Sequence, residues 1–398
     1  MATRVQRFYL AIVLFLAGLT LHGAHGAEVN TSARDDTLSL LATHRFAELD
    51  LRYGAIQRQY KDGKISDEDL RAAFRVFYAT EAALEPHYAA WVRESPKSYV
   101  AHLARGIYYK RVAAERRGGK FISETSPEQI AGMEAAYEVA GRELDASLAF
   151  DSKPLLTYMH SMDLSGNAGD RAAARRLLDA AVAIDPKNMI VREKYMVYLQ
   201  TRWGGSVEEM RSFLHECRAA GLSSVQLKDL EEMVVEDEAW VHRYRDGDVD
   251  TAVHDYLRAA KLNPKASCEP CGPLVQAGDA LFDAKNYAEA IKLYSQVLRH
   301  DPTSIHALNN RAYSELQLNQ PKAAVADLER AAGMNDAYAQ DMLGRMYLVG
   351  TSIPQDRDKA IAWLKKAAEQ NYEPAKKLLP MALNKDAQPL PIPGSPRF

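Results

Sequence analysis

CGPLVQAGDALFDAKNYAEAIKLYSQVLRHDP, residues 271–302, decides the fold. With Cys271 as position 1, Leu274, Gly278 and Leu281 stand at positions 4, 8 and 11, and Ala290, Tyr294, Val297 and Pro302 at 20, 24, 27 and 32. This spacing predicts two antiparallel helices. Gly278 and Ala290 are small where the backbones cross at close range, Tyr294 and Val297 fill the seam to the next pair, and Asp301-Pro302 stops the second helix because proline has no N–H to continue the ladder.

Thirty-four residues on, the pattern returns. Leu308, Ala312, Ala324, Leu328 and Ala331 repeat positions 4, 8, 20, 24 and 27, while Glu315 at 11 and Asp336 at 32 depart from it. Upstream, Ala252, Tyr256, Ala259 and Pro264 form an earlier second helix, with Trp240 where its partner should carry a small residue. Ala174, Leu178, Ala181 and Pro186 form one earlier still. The pattern resembles the tetratricopeptide repeat. The final unit, AYAQDMLGRMYLVGTSIPQDRDKAIAWLKKAAEQNYEPA from Ala337, resembles the slightly longer Sel-one-like repeat, its extra length lying between Gly350 and Asp356. A lysine-rich helix from Glu373 to about Asn384 is expected to cover the end of the stack.

The N-terminal half carries the signature more loosely. PKSYVAHLARGIYYKRVAA, residues 96–114, reads as a first helix with Gly106 at position 8 and Tyr109 at position 11 counted from Tyr99. Its partner, marked by Ala140, Leu144 and Ser147, arrives 22 residues late, after an insert around Gly118–Ser126 and a helix start at Ser126-Pro127-Glu128. Together with Trp91 and RWGGSVEEM (202–210), these stretches resemble an uncharacterised bacterial family that carries a domain of unknown function ahead of tetratricopeptide repeats. The resemblance covers roughly Phe46 to Leu222 and implies no activity.

The expected fold is therefore all-α, an α-solenoid of stacked antiparallel helix pairs forming a tetratricopeptide-like superhelix. The expected organisation is a signal peptide at 1–26, a divergent N-terminal helical repeat region at 36–222, tetratricopeptide repeats at 223–336, a Sel-one-like repeat with capping helix at 337–384, and a disordered tail at 385–398. Arg4 and Arg7, the apolar run from Phe8 to Leu21, and the small residues around Ala24, Gly26 and Ala27 have the layout of a secretory leader. An uncleaved anchor is the alternative, although the run is shorter than the ~20 residues of a spanning helix. The expected compartment is the periplasm or the exterior. Cleavage moves the net charge from −3 to −5, leaving 48 basic against 53 acidic residues, which gives no reason to expect nucleic-acid binding. The densest basic cluster, Arg111, Arg116, Arg117 and Lys120, is accounted for by a helix C-terminus at Gly118-Gly119.

Stacked hairpins share one core and expose an extended groove suited to a peptide or helix. The expected function is that of a non-catalytic protein-binding scaffold, with no cofactor and no metal. Groove-facing positions make Asn309, Asn310, Tyr313, Lys110 and Arg111 the candidate partner-binding residues. An asparagine there can equally bond a neighbouring helix. Cys268-Glu269-Pro270-Cys271 reads as a small structural disulfide in an oxidising compartment, with free or metal-binding thiols and a thiol–disulfide oxidoreductase as alternatives. A self-assembling envelope component is the remaining possibility. Cys217 reads as a buried apolar residue, RWGGS as a helix end followed by a capping box at Ser206 and Glu209, and Trp91, Trp203, Trp240 and Trp363 as seam residues.

Overall fold

The computed structural model describes residues 31–118, 124–264, 272–350 and 353–384. Within them the chain is helical throughout, with no β-strand, and no helix is long and apolar enough to cross a membrane. In order, the helices are α1 Thr31–Ala42, α2 Phe46–Lys61, α3 Asp67–Phe74, α4 Glu85–Glu94, α5 Tyr99–Arg117, α6 Pro127–Leu148, α7 Leu155–Asn167, α8 Arg171–Ile184, α9 Met189–Tyr198 and α10 Val207–Ala219. They continue as α11 Ser224–Trp240, α12 Val249–Leu262, α13 Pro273–Asp283, α14 Tyr287–His300, α15 Ile305–Gln317, α16 Pro321–Gly333, α17 Ala337–Val349, α18 Arg357–Glu369 and α19 Glu373–Leu383. Two compact units divide the chain at Val234/Val235, inside α11.

The small residues stand at the crossings. A Cβ placed on Gly106 of α5 would lie 2.8 Å from Leu144 Cδ2 of α6, one on Gly278 of α13 2.9 Å from Tyr294 Cε1 of α14, and one on Gly344 of α17 2.6 Å from Leu364 Cγ of α18. The partner alanines Ala140, Ala290 and Ala360 are wholly buried. In the second unit successive helices from α12 to α19 pack one on the next, which is the stacking of a helical solenoid.

The turns close in a repeated way. After α13, the Asn286 N–H donates to the Leu281 carbonyl at 2.8 Å and the Lys285 N–H to Phe282 at 2.9 Å, with Lys285 at φ +61°. Asn319 at φ +58° and Gly169 at φ +71° close α15 and α7 in the same Schellman geometry, which satisfies the last carbonyls of each helix. Several helix starts are capped by side chains: Ser126 caps α6, its hydroxyl accepting from the Gln129 N–H while its own N–H donates to the Gln129 side chain, and Asp356 caps α18.

The first unit holds an aromatic core. Phe46, Phe74, Phe77, Tyr88 and Trp91 are buried together, with ring centroids 6.0 Å apart for Phe77 and Trp91. Two sequence expectations change here. Trp203 is 39% exposed on a 3-10 turn, Thr201–Trp203, because Gly204 at φ +84° reverses the chain immediately after it; it is not a buried seam residue. At the start of α10, the Ser206 hydroxyl accepts from the Glu209 N–H, but its own proton goes to the Glu209 carboxylate, so the reciprocal half of the capping box is replaced by a side-chain bond. Cys217 is wholly buried beside Arg192 Nη1 at 3.6 Å, and burial pushes its thiol up.

Candidate functional site

A partly open cleft of about 1640 Å³ lies within the first unit. Its walls come from α3 and the 3-10 turn after it (Arg75–Tyr78), the last two turns of α5, the middle of α6, and α7, α8 and α9. Helices remote in sequence reach one concavity because α5–α6, α7–α8 and α9 stack side by side.

At its floor, the Asp163 carboxylate of α7 ties three helices together. Lys194 Nζ of α9 reaches Oδ1 at 2.8 Å, the Tyr198 hydroxyl donates to Oδ1 at 2.8 Å, and Lys110 of α5 meets Oδ2. Lys110 also donates to His160 Nδ1 at 2.7 Å. Burial alone would raise the Asp163 carboxyl, but the two ammonium groups of Lys110 and Lys194 hold it well below the usual carboxylate range. Burial, then the Lys110 charge, pushes His160 down to about 3, so the imidazole is neutral and accepts the lysine's proton in a hydrogen bond. Two lysines against one aspartate leave the floor with an excess positive charge.

The arginines of the cleft fall into two classes. Arg71 pairs with Glu193 at 2.8 Å and Glu68 at 3.3 Å, and Arg75 with Glu68 at 2.7 Å. Arg111 and Arg117 of α5 have no ion pair among the described residues. Arg111 lies with its guanidinium carbon 5.4 Å from the Tyr78 ring centroid, and the Nε atoms of both arginines are buried without a hydrogen-bond partner. The helix-terminus account of this basic cluster therefore holds only in part. Arg116 points outward, bonding the Gly132 carbonyl at 3.3 Å, whereas Arg111 and Arg117 line the cleft.

The sequence-predicted residues separate accordingly. Lys110 and Arg111 meet in the cleft, but the Lys110 side chain is only 11% exposed and bonded to Asp163. In the second unit, Asn309 donates to Asp336 at 3.0 Å, and Asn310 donates to Asp279 at 3.2 Å and the Tyr294 hydroxyl at 3.3 Å. Tyr313 packs against Phe282, with centroids 5.3 Å apart, and against Tyr287. These side chains join repeat to repeat. Cys268 and Cys271 lie outside the described residues, as does Lys120. Asp163, Lys194, Tyr198 and Arg117 are cleft residues that the sequence did not single out as partner-binding. The available signal was His160 and Asp163, polar residues inside the apolar run LLTYMHSMDL. Among the described residues no group of three or more His, Cys, Asp or Glu is placed to hold a metal.

Comparison with known families gives three matches: a domain of unknown function, DUF4034, at residues 33–172 and 164–237; a tetratricopeptide repeat at 273–304; and a Sel1 repeat at 337–372. No curated protein matches the chain. Among solved structures, it is similar to c5321, a protective antigen of uropathogenic Escherichia coli with an SLR fold (12% identity, 87% of this chain and 90% of that one, TM-score 0.35). It is also similar to yeast Tom70 (15% identity, 92% and 80%, TM-score 0.39) and to a chain of the APC/C hetero-tetramer Cut9–Hcn1 (15% identity, 81% and 64%, TM-score 0.36).

Proposed function

The chain belongs to the family defined by the domain of unknown function DUF4034, with tetratricopeptide and Sel1 repeats behind that domain, and on this footing we propose that it is an exported, non-catalytic scaffold that grips a segment of a protein partner in the cleft of its first unit. The observation that carries this reading is the cleft itself. At about 1640 Å³ it exceeds the roughly 300–1,000 Å³ of a typical small-molecule site, and its open side suits an extended or helical peptide. The charged groups at its floor are engaged with one another: Lys110, Lys194 and Tyr198 all serve Asp163. Helical repeats keep such a surface rigid, since every pair is braced by its neighbours.

The export half of the proposal rests on the leader-like residues 1–26. One experiment in the native host tests both halves. A photo-crosslinking side chain in place of Tyr137, which lines the cleft, is expected to capture a discrete exported protein, while the same group at the exposed Val225 is not. Equal capture from both positions, or none from Tyr137, removes the cleft as the binding face. N-terminal sequencing of the recovered chain is expected to begin near residue 27; a full-length cytoplasmic chain removes export.

A further inference from the structure

From the two guanidiniums that have no ion pair among the described residues we infer that the cleft selects acidic protein segments, with Arg111 and Arg117 receiving aspartate or glutamate side chains and the neighbouring tyrosines receiving apolar ones. This rests on the reading of the cleft as a peptide groove.

The lining carries seven basic side chains, Arg71, Arg75, Lys110, Arg111, Arg117, Arg171 and Lys194, against four acidic ones, on a chain whose net charge is −3. Most of those cations already have partners: Arg171 bonds Glu209 at 2.7 Å, and the Arg71, Arg75 and lysine pairs are described above. Arg111 and Arg117 have no ion pair among the described residues. A guanidinium whose Nε is removed from water without an acceptor lacks a hydrogen bond it would have in solvent. A carboxylate entering the cleft supplies the missing charge, and arginine's planar fork can hold it with two parallel bonds. Arg111 is also braced by the Tyr78 ring, which limits the side-chain entropy lost when an anion docks.

The class of anion follows from what surrounds the arginines. Polyphosphates and nucleic acids require a broad basic surface to displace their counterions. Here the exposed glutamates Glu115 and Glu134 stand among the lining residues and repel a polyanion, while an isolated carboxylate needs only one guanidinium. Tyr78, Tyr137 and Tyr195, with Met133 and Met159, offer apolar surface beside the charges, so the fitting segment places an acidic residue next to an aromatic or aliphatic one.

The test is selection from a random twelve-residue peptide phage library on the full-length protein. Selected peptides are expected to be enriched in aspartate and glutamate beside apolar residues. Synthetic copies should bind at least tenfold more tightly than their asparagine and glutamine counterparts. Arg111→Gln and Arg117→Gln are each expected to weaken binding at least fivefold and together to abolish it, whereas Arg116→Gln, an equal charge change on the same helix that points away from the cleft, leaves it unchanged. Circular dichroism melts check that each variant is folded; neither arginine has an ion pair to lose among the described residues, and Arg111→Lys and Arg117→Lys provide charge-retaining versions. Peptides without acidic enrichment, equal weakening by Arg116→Gln, or displacement at equal concentration by inorganic polyphosphate or single-stranded DNA overturn the inference. If acidic enrichment fails while neutral peptides still bind and compete with one another at the cleft, the peptide-groove reading stands and only its selectivity falls. If no peptide is selected at all, both fall.

Discussion

The Tyr198 ring crosses the backbone of Gly166 so closely that a Cβ on Gly166 would sit 2.2 Å from its Cε1 atom. Only glycine lets α9 approach α7 at this point, and the approach brings the Tyr198 hydroxyl to Asp163 Oδ1 at 2.8 Å. A residue without a side chain thus sets the position of the charged floor of the cleft.

Gly166→Ala is therefore expected to destabilise the fold by about 1–3 kcal/mol, through overpacking and displacement of the Tyr198 ring. Tyr198→Phe keeps the ring but removes a hydrogen bond to a buried carboxylate, at a cost of about 1.5–3 kcal/mol. In a Tyr198→Ala background Gly166→Ala should become nearly neutral. Urea denaturation of the double-mutant cycle checks this, and an unchanged cost in that background would show that the Gly166–Tyr198 contact is not the cause.

Asp163→Asn removes the partner of both Lys110 and Lys194 at once. Breaking a buried ion pair from one side costs about 3–5 kcal/mol, because a charge remains buried without compensation. Lys194→Gln leaves Lys110 on Asp163, so its effect should be smaller. Chemical denaturation of the two variants at pH 7 gives the comparison, and a smaller loss for Asp163→Asn would contradict the assigned geometry.

Glu315 carries a pH dependence. It is 7% exposed in the second unit, with Oε2 lacking a hydrogen-bond partner and the Arg311 guanidinium mainly committed to Asp327 at 2.6 Å. Burial, then repulsion from Asp327, pushes its carboxyl up to about 7, against an unfolded value near 4.5. The folded chain therefore binds the proton more tightly than the unfolded chain. This contribution to stability is full below about pH 4.5 and is lost as pH rises towards 7. Glu315→Gln should raise stability at pH 8 by about 1–2 kcal/mol and leave it little changed at pH 4.5. Melting temperatures of both proteins across this range provide the check.

Lys285 holds a left-handed conformation, φ +61°, that Asn319 and Gly169 occupy in equivalent turns. Lysine has no local side-chain bond to favour that geometry, whereas asparagine tolerates it well. Lys285→Asn is expected to stabilise the chain by about 0.5–1 kcal/mol, seen as a higher midpoint at an unchanged denaturant slope. A lower midpoint would mean that the turn depends on the lysine.

The repeat architecture was legible in the chain because it depends on local spacing. Gly278 against Tyr294 and Gly344 against Leu364 are contacts between helices adjacent in sequence, so small and large residues at fixed offsets record them. Helix starts at Ser126 and Asp356 are local for the same reason, since a cap is formed within three residues. Glu315 was visible as a departure from the repeat, though its burial beside Asp327 was not. The cleft is a different kind of object. Lys110, Asp163 and Lys194 come from three helices, and no spacing rule places their charges on one carboxylate. The direction of each α5 arginine was equally hidden: Arg116 and Arg117 are neighbours in sequence, yet only Arg117 lines the cleft. Sequence periodicity determined which faces of the helices are apolar and where they cross. Only the tertiary stack decided which charges meet and which are left without a partner, because desolvation and Coulomb energies depend on distances between segments that the chain order does not encode.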